Sequence, residues 1–389
     1  MVANGSRPSA FRALLAGGAA LVTLACGAQF DPPTEVKSLR VFGVQKDLPY
    51  AHPGETVSLT LSWHDGSPKA ASADPAKRRV KLAWFGPCVN PAFDSYASCG
   101  EAIQRQQSNC KEGDAACDPA LNPDTSDDLV TGTGPKFQIT VPDRSDTLHG
   151  NQDPKQPPYG LVYVFFAACA GELGPSRDPA FPAGCYAQDD TSFQHPLGSD
   201  DFVAGYTAIY VFGEDYRNAN PVIQGFVVNS RYETEDVCVG DACLGTCTDA
   251  GCVNRPPDVD WNDPDVVNAY CTKHPTYCVP TCADDGDPLT CPGYDLHPSV
   301  DRQANSEPDQ ITNENYGHSY VEQMWIDYYS TRGAMKSPTK LLQDATAGWN
   351  AGYGTEFYAP DSAGPVQVWA AVHDNRGGVA WAGITLVVR

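Results

Sequence analysis

The stretch VQVWAAVHDNRGGVAWAGITLVV, residues 366–388, is the clearest structural signal in the chain. Two alternating apolar runs flank the segment Asp374-Asn375-Arg376-Gly377-Gly378. A short glycine-containing connection between two such runs is typical of a β-hairpin. The sequence therefore predicts that the chain ends in two paired antiparallel strands.

Similar short apolar runs occur throughout both halves of the chain. Residues 56–63 alternate most cleanly, with Val57, Leu59, Leu61 and Trp63 on one side and hydroxyl side chains on the other. Loops rich in Gly and Pro separate the runs, which favours antiparallel sandwiches over a parallel α/β sheet. Strands are predicted at 38–44, 56–63, 80–85, 137–141, 161–168, 206–212, 222–228, 320–329, 355–358, 366–373 and 379–388.

Taken in order, the first six runs resemble strands A, B, C, E, F and G of an immunoglobulin-like domain, with Trp84 where a core tryptophan is expected. The B-to-F disulfide of antibody domains is absent. The closing hairpin resembles the last two strands of PKD-like and related bacterial immunoglobulin-like repeats, in which a D-x-x-G-G turn is frequent. These resemblances imply an all-β fold of two tandem immunoglobulin-like sandwiches with long disulfide-rich loop insertions.

The N-terminal segment has the features of an export signal. Arg7 and Arg12 precede the apolar run ALLAGGAALVTLA, which is too short to span a bilayer. The following Thr23-Leu24-Ala25-Cys26-Gly27 resembles the lipobox of bacterial lipoproteins, which implies cleavage before Cys26 and attachment of a diacylglycerol to its thiol. A simple secretory signal that is cut nearby is the alternative.

Two further expectations follow from that resemblance. Gly27 stands where an aspartate retains many lipoproteins at the inner membrane, so the resemblance implies the outer membrane and leaves the face open. The whole combination resembles the cysteine-rich surface lipoproteins of myxobacteria, a family that implies no activity for any residue here. The predicted organisation is a signal at 1–25, a tether at 26–36, a first sandwich at 37–215, and a second at 221–389 interrupted by an insert at 231–300.

The acidic composition excludes one class of partner. Cleavage removes two arginines and no acid, so the mature chain would hold 24 basic and 48 acidic residues. Binding to nucleic acid needs clustered Lys and Arg side chains, and binding to anionic lipid headgroups needs them too. We therefore expect no nucleic-acid partner and membrane attachment through the lipid anchor alone.

Without Cys26, the cysteines number 14 and fall into groups of six and eight. Cysteine groups of even number in an exported chain predict disulfides. The sequence contains no CxxC pair, so the cysteine spacing does not favour a zinc site. In the first group we expect the local pairs Cys88–Cys99, Cys110–Cys117 and Cys169–Cys185. The second group consists of Cys238, Cys243, Cys247, Cys252, Cys271, Cys278, Cys282 and Cys291.

The insert also carries the best candidate for a metal site. Oxygen-bearing side chains are the ligands that calcium takes, although the pattern fails as an EF-hand because Asp263 and Ala269 replace the required Gly and Glu. A solvated acidic loop is the alternative. The candidate ligands are Asp258, Asp260, Asn262, Asp263, Asp265, Asp284, Asp285 and Asp287.

Enzyme motifs are absent from the sequence. There is no HExxH, GxSxG or glycine-rich phosphate loop, and Ser337-Pro338-Thr339-Lys340 lacks the helix that an SxxK motif needs. On the face formed by Tyr320, Glu322, Met324, Ile326 and Tyr328, Glu322 is the one charge, and a buried carboxylate there would have a raised pKa and could act as an acid. The alternatives are that Glu322 lies at the end of the strand, or that the opposite face, with Trp325, is the core. The aromatic residues Tyr320, Trp325, Tyr328, Tyr329, Trp349, Tyr353 and Tyr358 predict either core packing or a stacking platform for sugars.

The function expected from sequence is a structural or adhesion-like interaction role at the envelope, without catalysis and without a cofactor other than possible calcium. The specialised residues are expected in loops that project from scaffold strands. The alternatives are a polysaccharide-binding or calcium-dependent binding module, and a hydrolase whose site lies between the two domains. The expected partner is an unidentified protein or polysaccharide.

Overall fold

The computed structural model describes residues 34–72, 78–89, 130–143, 157–176, 183–233, 237–244, 246–248, 251–253, 260–261, 263–282, 290–317 and 319–389. Residues 34–389 form one compact unit. The predicted signal, Cys26, Cys99, Cys110, Cys117, Asp258, Asn262, Asp284, Asp285 and Asp287 lie outside the described residues.

The first half of the unit is a two-sheet sandwich. Strands β1, β3 and β6 form one sheet in that order, and β2, β10, β7, β4 and β5 form the other, while β8 and β9 make a small hairpin. The strands are β1 Leu39–Lys46, β2 Tyr50–Ala51, β3 Thr56–Asp65, β4 Lys81–Val89, β5 Val130–Thr133, β6 Lys136–Thr140, β7 Tyr159–Cys169, β8 Glu172–Pro175, β9 Ala183–Tyr186 and β10 Phe202–Phe212.

This pairing confirms the immunoglobulin-like order predicted from the sequence. The predicted strands A, B and E share one sheet, and C, F and G share the other. The alternating residues of β3 supply Val57, Leu59 and Leu61 to the core between the sheets. Trp84 is fully buried there and donates from Nε1 to the carbonyl of Gly134 at 2.7 Å.

The second half repeats the arrangement. One sheet has the order β12, β11, β17, β22 and β19, and the other has β13, β24, β23, β18, β20 and β21, with β16 also beside β24. The strands are β11 Ile223–Val228, β12 Arg231–Glu233, β13 Val237–Val239, β14 Thr246–Thr248, β15 Gly251–Val253, β16 Cys278–Val279, β17 Gly293–Val300, β18 Met324–Ser330, β19 Ala334–Met335, β20 Thr339–Asp344, β21 Gly348–Trp349, β22 Thr355–Tyr358, β23 Gly364–Asp374 and β24 Val379–Val388.

The closing hairpin forms as predicted, with β23 and β24 paired in unbroken register from Gly364–Val388 to His373–Val379. No strand was predicted within the insert at 231–300, and this is wrong. Strand β17 lies in that range and places Leu296 and Val300 in the core. Its alternation was hidden because Pro298 and His297 interrupt an already short apolar pattern.

The expectation that the insert projects as a loop is also wrong for its described part. Strand β13 pairs antiparallel with β24, and β16 pairs with the far end of the same strand in parallel. The insert therefore covers the outer edge of β24, which would otherwise expose unpaired backbone groups. Between these strands, Asp263 caps a helix by accepting from the backbone amide of Asp265 at 2.9 Å.

The described residues contain three short α-helices: α1 Pro68–Ser72, α2 Pro264–Lys273 and α3 Gln310–Tyr316. Within the described part of the chain, no helix has the length and apolar character needed to cross a bilayer.

Residues 34–36, which were expected in the tether, belong to the fold. The amide of Val36 donates to the carbonyl of Ser330 at 2.8 Å, and the amide of Ser330 donates to the carbonyl of Thr34 at 2.8 Å. Val36 is fully buried against Phe42 and Trp369. The described chain therefore begins at the contact between the two sandwiches.

Candidate functional site

The segment that joins the two sandwiches is held by two asparagines. Asn218 donates from Nδ2 to Oδ2 of Asp374 at 3.1 Å. Asn220 donates from Nδ2 to the carbonyl of Lys46 at 2.6 Å and accepts from the amide of Val379 at 3.1 Å. Asn220 thus bridges β1 of the first sandwich and β24 of the second, so the linker is part of the junction.

The turn of the closing hairpin is built around Asp374. Its Oδ1 accepts from the amides of Arg376 and Gly378, each at 2.8 Å. Gly377 has a φ of +91°, which favours glycine, and a side chain there would meet the ammonium of Lys46. The D-x-x-G-G pattern therefore makes both the hairpin turn and a close contact with the first sandwich.

A buried ion pair lies next to this turn. Arg376 donates from Nη2 to the carboxylate of Glu322 and, at 3.3 Å, to Glu307. Burial raises the pKa of Glu322 to about 7, and the nearby guanidinium opposes this shift without cancelling it. The same carboxylate keeps the pKa of Arg376 above its ordinary value despite burial. Above about pH 7, where Glu322 is ionised, the pair places a charge of each sign inside the protein, so removal of either partner would leave the other charge buried and unpaired.

Lys46 is a second buried charge at the junction. Its ammonium donates to Oγ1 of Thr207 and to the carbonyl of Ala208, both at 3.1 Å. Burial lowers the pKa of Lys46 to about 8, and the charge of Asp374 partly opposes the shift. The ammonium consequently connects β1 and β10 just beneath the turn of the second sandwich.

An apolar contact accompanies these polar ones. Phe42 packs against Tyr329 and Trp369 with ring centroids at 4.8 and 5.1 Å, and His64 lies 4.3 Å from the ring of Trp369. Burial lowers the pKa of His64 to about 4. Gly43 lets the strands approach, because a Cβ there would lie 3.2 Å from a methyl of Val379. Sequence reasoning missed this interface, since it joins residues more than 280 positions apart.

The predicted aromatic platform is not one surface. Tyr328 and Tyr358 are buried in the core, and Tyr329 packs at the junction. Trp349 and Tyr353 touch edge to face, with their planes at 80°. Rings at that angle share no flat face for a sugar, so these residues do not make a stacking platform.

The inward face of β18 is the face that continues from Glu322, which lies two positions before the strand begins. Met324, Ile326 and Tyr328 lie in the core, so the alternative that the Trp325 face forms the core is wrong. Trp325 instead stacks on His373, with centroids at 5.3 Å and planes at 17°. The sequence did contain a signal for this buried charge, because Glu322 is the single carboxylate on the apolar side of an alternating run.

His373 lies near an acidic side chain of the neighbouring strand β18. Its Nε2 is 3.4 Å from Oδ2 of Asp327, and burial lowers the pKa of the imidazole. The hydroxyl of Thr339 donates to Asp327 at 2.6 Å. A nucleophile would need to donate to the histidine, so this arrangement does not make a catalytic triad.

Disulfides crosslink cysteines of both predicted groups. Cys169 bonds to Cys185 as predicted, and further pairs are Cys238–Cys243, Cys271–Cys278 and Cys282–Cys291. Cys88 and Cys247 are also disulfide-bonded. Cys247 lies opposite Cys252 across the β14–β15 ladder. Each of these pairs joins cysteines at most 16 positions apart, which agrees with the role of crosslinks in ordering segments that bury little apolar surface.

The described members of the predicted calcium site are Asp260, Asp263 and Asp265, and all three are exposed. Asp263 already uses its carboxylate as the cap of α2. Within the described residues, no group of three or more acidic, histidine or cysteine side chains is placed to hold a metal ion. The calcium site remains a prediction, because the other five ligands lie outside these residues.

A groove of about 890 Å³ lies beside the junction. Its floor is the outward face of the β1–β3–β6 sheet, where Gln45 pairs with Thr60 and Ser58 with Gln138. Its wall comes from the second half, where Asn220 and Asp241 line it. Asp241 lies within the disulfide loop Cys238–Cys243 and forms an ion pair with Lys136 of β6.

No family model and no curated protein matches the chain. Among solved structures, it is similar to the FN1–FN3 domains of chicken CNTN1, with 9% identity, coverage of 92% of this chain and 68% of that chain, and a TM-score of 0.17. It is also similar to three N-terminal domains of the bacteriophage RB49 Highly Immunogenic Outer Capsid protein, with 8% identity, coverage of 90% and 99%, and a TM-score of 0.16. TM-scores this low support neither a fold nor a function for this chain. The fold assignment depends on the strand pairing described above.

Proposed function

We propose that this chain is an exported, lipid-anchored protein of the outer membrane with a structural or interaction role, in which two immunoglobulin-like sandwiches act as one fixed body. The observation that carries the proposal is the junction. Two sandwiches in tandem usually move relative to each other unless their interface is extensive. Here the linker residue Asn220 bonds to Lys46 of the first sandwich and to Val379 of the second, and Phe42 of the first packs on Trp369 of the second.

The charges at the junction favour a positioning role. Lys46, Glu322 and Arg376 are each less than 7% exposed, and burying such groups costs desolvation energy. Lys46 holds β1 to β10 in the first sandwich, and Arg376 holds the closing turn to Glu322 in the second, so these bonds fix the two surfaces that meet at the junction. A protein that presents a surface built from both sandwiches benefits from that placement.

The start of the fold bears on how the body would be carried. If Cys26 is acylated, residues 27–33 separate the lipid from Thr34, and seven residues span at most about 25 Å. Thr34 and Val36 are bonded to Ser330 of the second sandwich. The tether would therefore meet the body at its junction, and a pull on the anchor would reach both sandwiches together.

Two measurements test the proposal. Cys26→Ser should abolish incorporation of labelled palmitate and release the protein from the membrane fraction, whereas the control Thr23→Leu should retain both. Small-angle X-ray scattering of the released full-length Cys26→Ser protein should fit one rigid arrangement. Palmitate incorporation by the Cys26→Ser protein would contradict the anchor, and scattering that requires freely hinged sandwiches would contradict the fixed body.

A further inference from the structure

The groove beside the junction has a regular polar floor. Outward residues of three neighbouring strands form two rows, Gln45–Thr60–Lys136 and Asp47–Ser58–Gln138. Neighbouring strands lie about 4.8 Å apart and alternate residues about 7 Å apart along a strand. The floor is therefore a grid of amide, hydroxyl and charged groups, while Leu59 and Phe137 turn their side chains into the core.

Several side-chain oxygens on this floor can accept further hydrogen bonds. Gln138 donates from Nε2 to Ser58, Gln45 donates from Nε2 to the carbonyl of Val379, and Asp47 accepts from the amide of Ser58 through Oδ1. Within the described part of the chain, no protein donor reaches the side-chain carbonyls of Gln45 and Gln138 or the second carboxylate oxygen of Asp47. These bonds hold the side chains in place and leave their acceptors open to the groove.

The charges that line the groove limit the chemical class of ligand that it can bind. Lys136 and Asp241 neutralise each other across the groove, which leaves Asp47 as its unpaired charge among the lining residues. The chain as a whole has a formal net charge of −22, so polyanions are repelled. The side chains of the two rows are all polar or charged, whereas Leu59 and Phe137 belong to the core, so this floor offers no deep apolar pocket for the apolar side chains of a peptide.

We propose that this groove binds a neutral, polyhydroxylated ligand, namely an uncharged oligosaccharide segment. The volume of about 890 Å³ lies within the range of small-ligand sites, roughly 300–1,000 Å³. The first sandwich supplies the floor and the second supplies the wall, so the fixed junction keeps the groove open. The inference rests on the proposed interaction role and names the ligand class for it.

The test uses the full-length Cys26→Ser protein with its disulfides intact. It is applied to an array of neutral, anionic and cationic oligosaccharides, and the best-bound neutral oligosaccharide is then titrated by calorimetry. Gln138→Leu and Thr60→Val, which remove polar capacity with little change of volume, should each weaken binding at least tenfold. Gln224→Leu on β11, an exposed glutamine of the second sandwich, is the matched control and should bind as the parent protein does.

Three results would overturn the inference: no oligosaccharide bound, a preference for anionic sugars, or equal affinity in the Gln138→Leu and Thr60→Val variants. Thermal unfolding of each variant should match the parent within about 2 °C, and if one variant is destabilised the other decides. The proposed function has its own tests in palmitate labelling and scattering. A rigid, anchored protein that binds no sugar would therefore refute the saccharide site alone.

Discussion

The amide nitrogen of Asn218 donates to Asp374 across 3.1 Å, and this bond links the connection between the sandwiches to the turn of the last hairpin. Asn218 is 5% exposed and Asp374 is 3% exposed. Asp374 also accepts the two backbone amides that shape its own turn. One carboxylate therefore organises the local hairpin and its contact with the linker.

Asn218→Ala should lower the free energy of unfolding by about 1–3 kcal/mol, because it removes a partner from a buried carboxylate. Urea unfolding of the disulfide-intact protein measures the change. Asn268→Ala, at an exposed position on α2, is the matched control and should shift the midpoint little. An unchanged midpoint in Asn218→Ala would show that the bond does not contribute to stability.

Arg376→Met should destabilise the protein by about 3–5 kcal/mol, because Glu322 would remain buried without its partner. The double variant Glu322→Met/Arg376→Met should recover most of that loss, since both desolvation costs disappear. Lys336→Met breaks the exposed Lys336–Glu356 pair and serves as a control with little expected effect. If the loss in the double variant equalled the sum of the losses in Arg376→Met and Glu322→Met, the two residues would not be a coupled pair.

The raised pKa of Glu322 predicts a specific pH dependence. Between pH 4.5 and about 7 the native state holds a proton that the unfolded state has released. The contribution of Glu322 to stability therefore falls as pH rises through this window and levels off above it. Glu322→Gln should remove this slope, as measured by urea midpoints from pH 4.5 to 8.

The comparison must be made as a difference between parent and variant. His64, whose pKa is lowered to about 4, contributes the opposite slope between pH 4 and 6.5, because only the unfolded state is protonated there. That contribution is common to both proteins and cancels. A parent-minus-variant difference that stays constant with pH would contradict the raised pKa of Glu322.

Gly43→Val should weaken the contact between the sandwiches. The added side chain would crowd Val379 and the ring of His373 at a close approach of strands, and overpacking of this kind typically costs about 1–3 kcal/mol. Gly198→Val is the control, since a Cβ at Gly198 meets no atom within 4 Å. Scattering should show a larger radius of gyration for Gly43→Val alone, and identical profiles would show that the junction absorbs the side chain.

Local patterns carried the fold class. The alternation of residues 56–63 and the two runs around the D-x-x-G-G turn predicted strands that the structure contains, and strand order followed because sequential runs in such a sandwich pair in few ways. The pairing of Cys169 with Cys185 was also accessible, because the two residues lie only 16 positions apart.

Where the pattern was broken, the same reasoning failed. Strand β17 contains His297 and Pro298, so its alternation is visible only once Leu296 and Val300 are seen in the core. The helix α2 has few apolar residues, and it starts at a cap formed by Asp263, a residue that the sequence analysis assigned to the calcium site. A single side chain can serve several roles, and only its neighbours choose between them.

The sequence by itself determined the strands, the even grouping of the cysteines and the acidic character of this protein, because each depends on residues close together in the chain or on composition. The tertiary structure alone decided that Lys46 lies under the turn at Gly377, that Trp369 packs on Phe42, and that a polar sheet face meets a disulfide loop to form a groove. These contacts join positions far apart in the sequence, and they depend on how two complete sandwiches pack, which no local periodicity encodes.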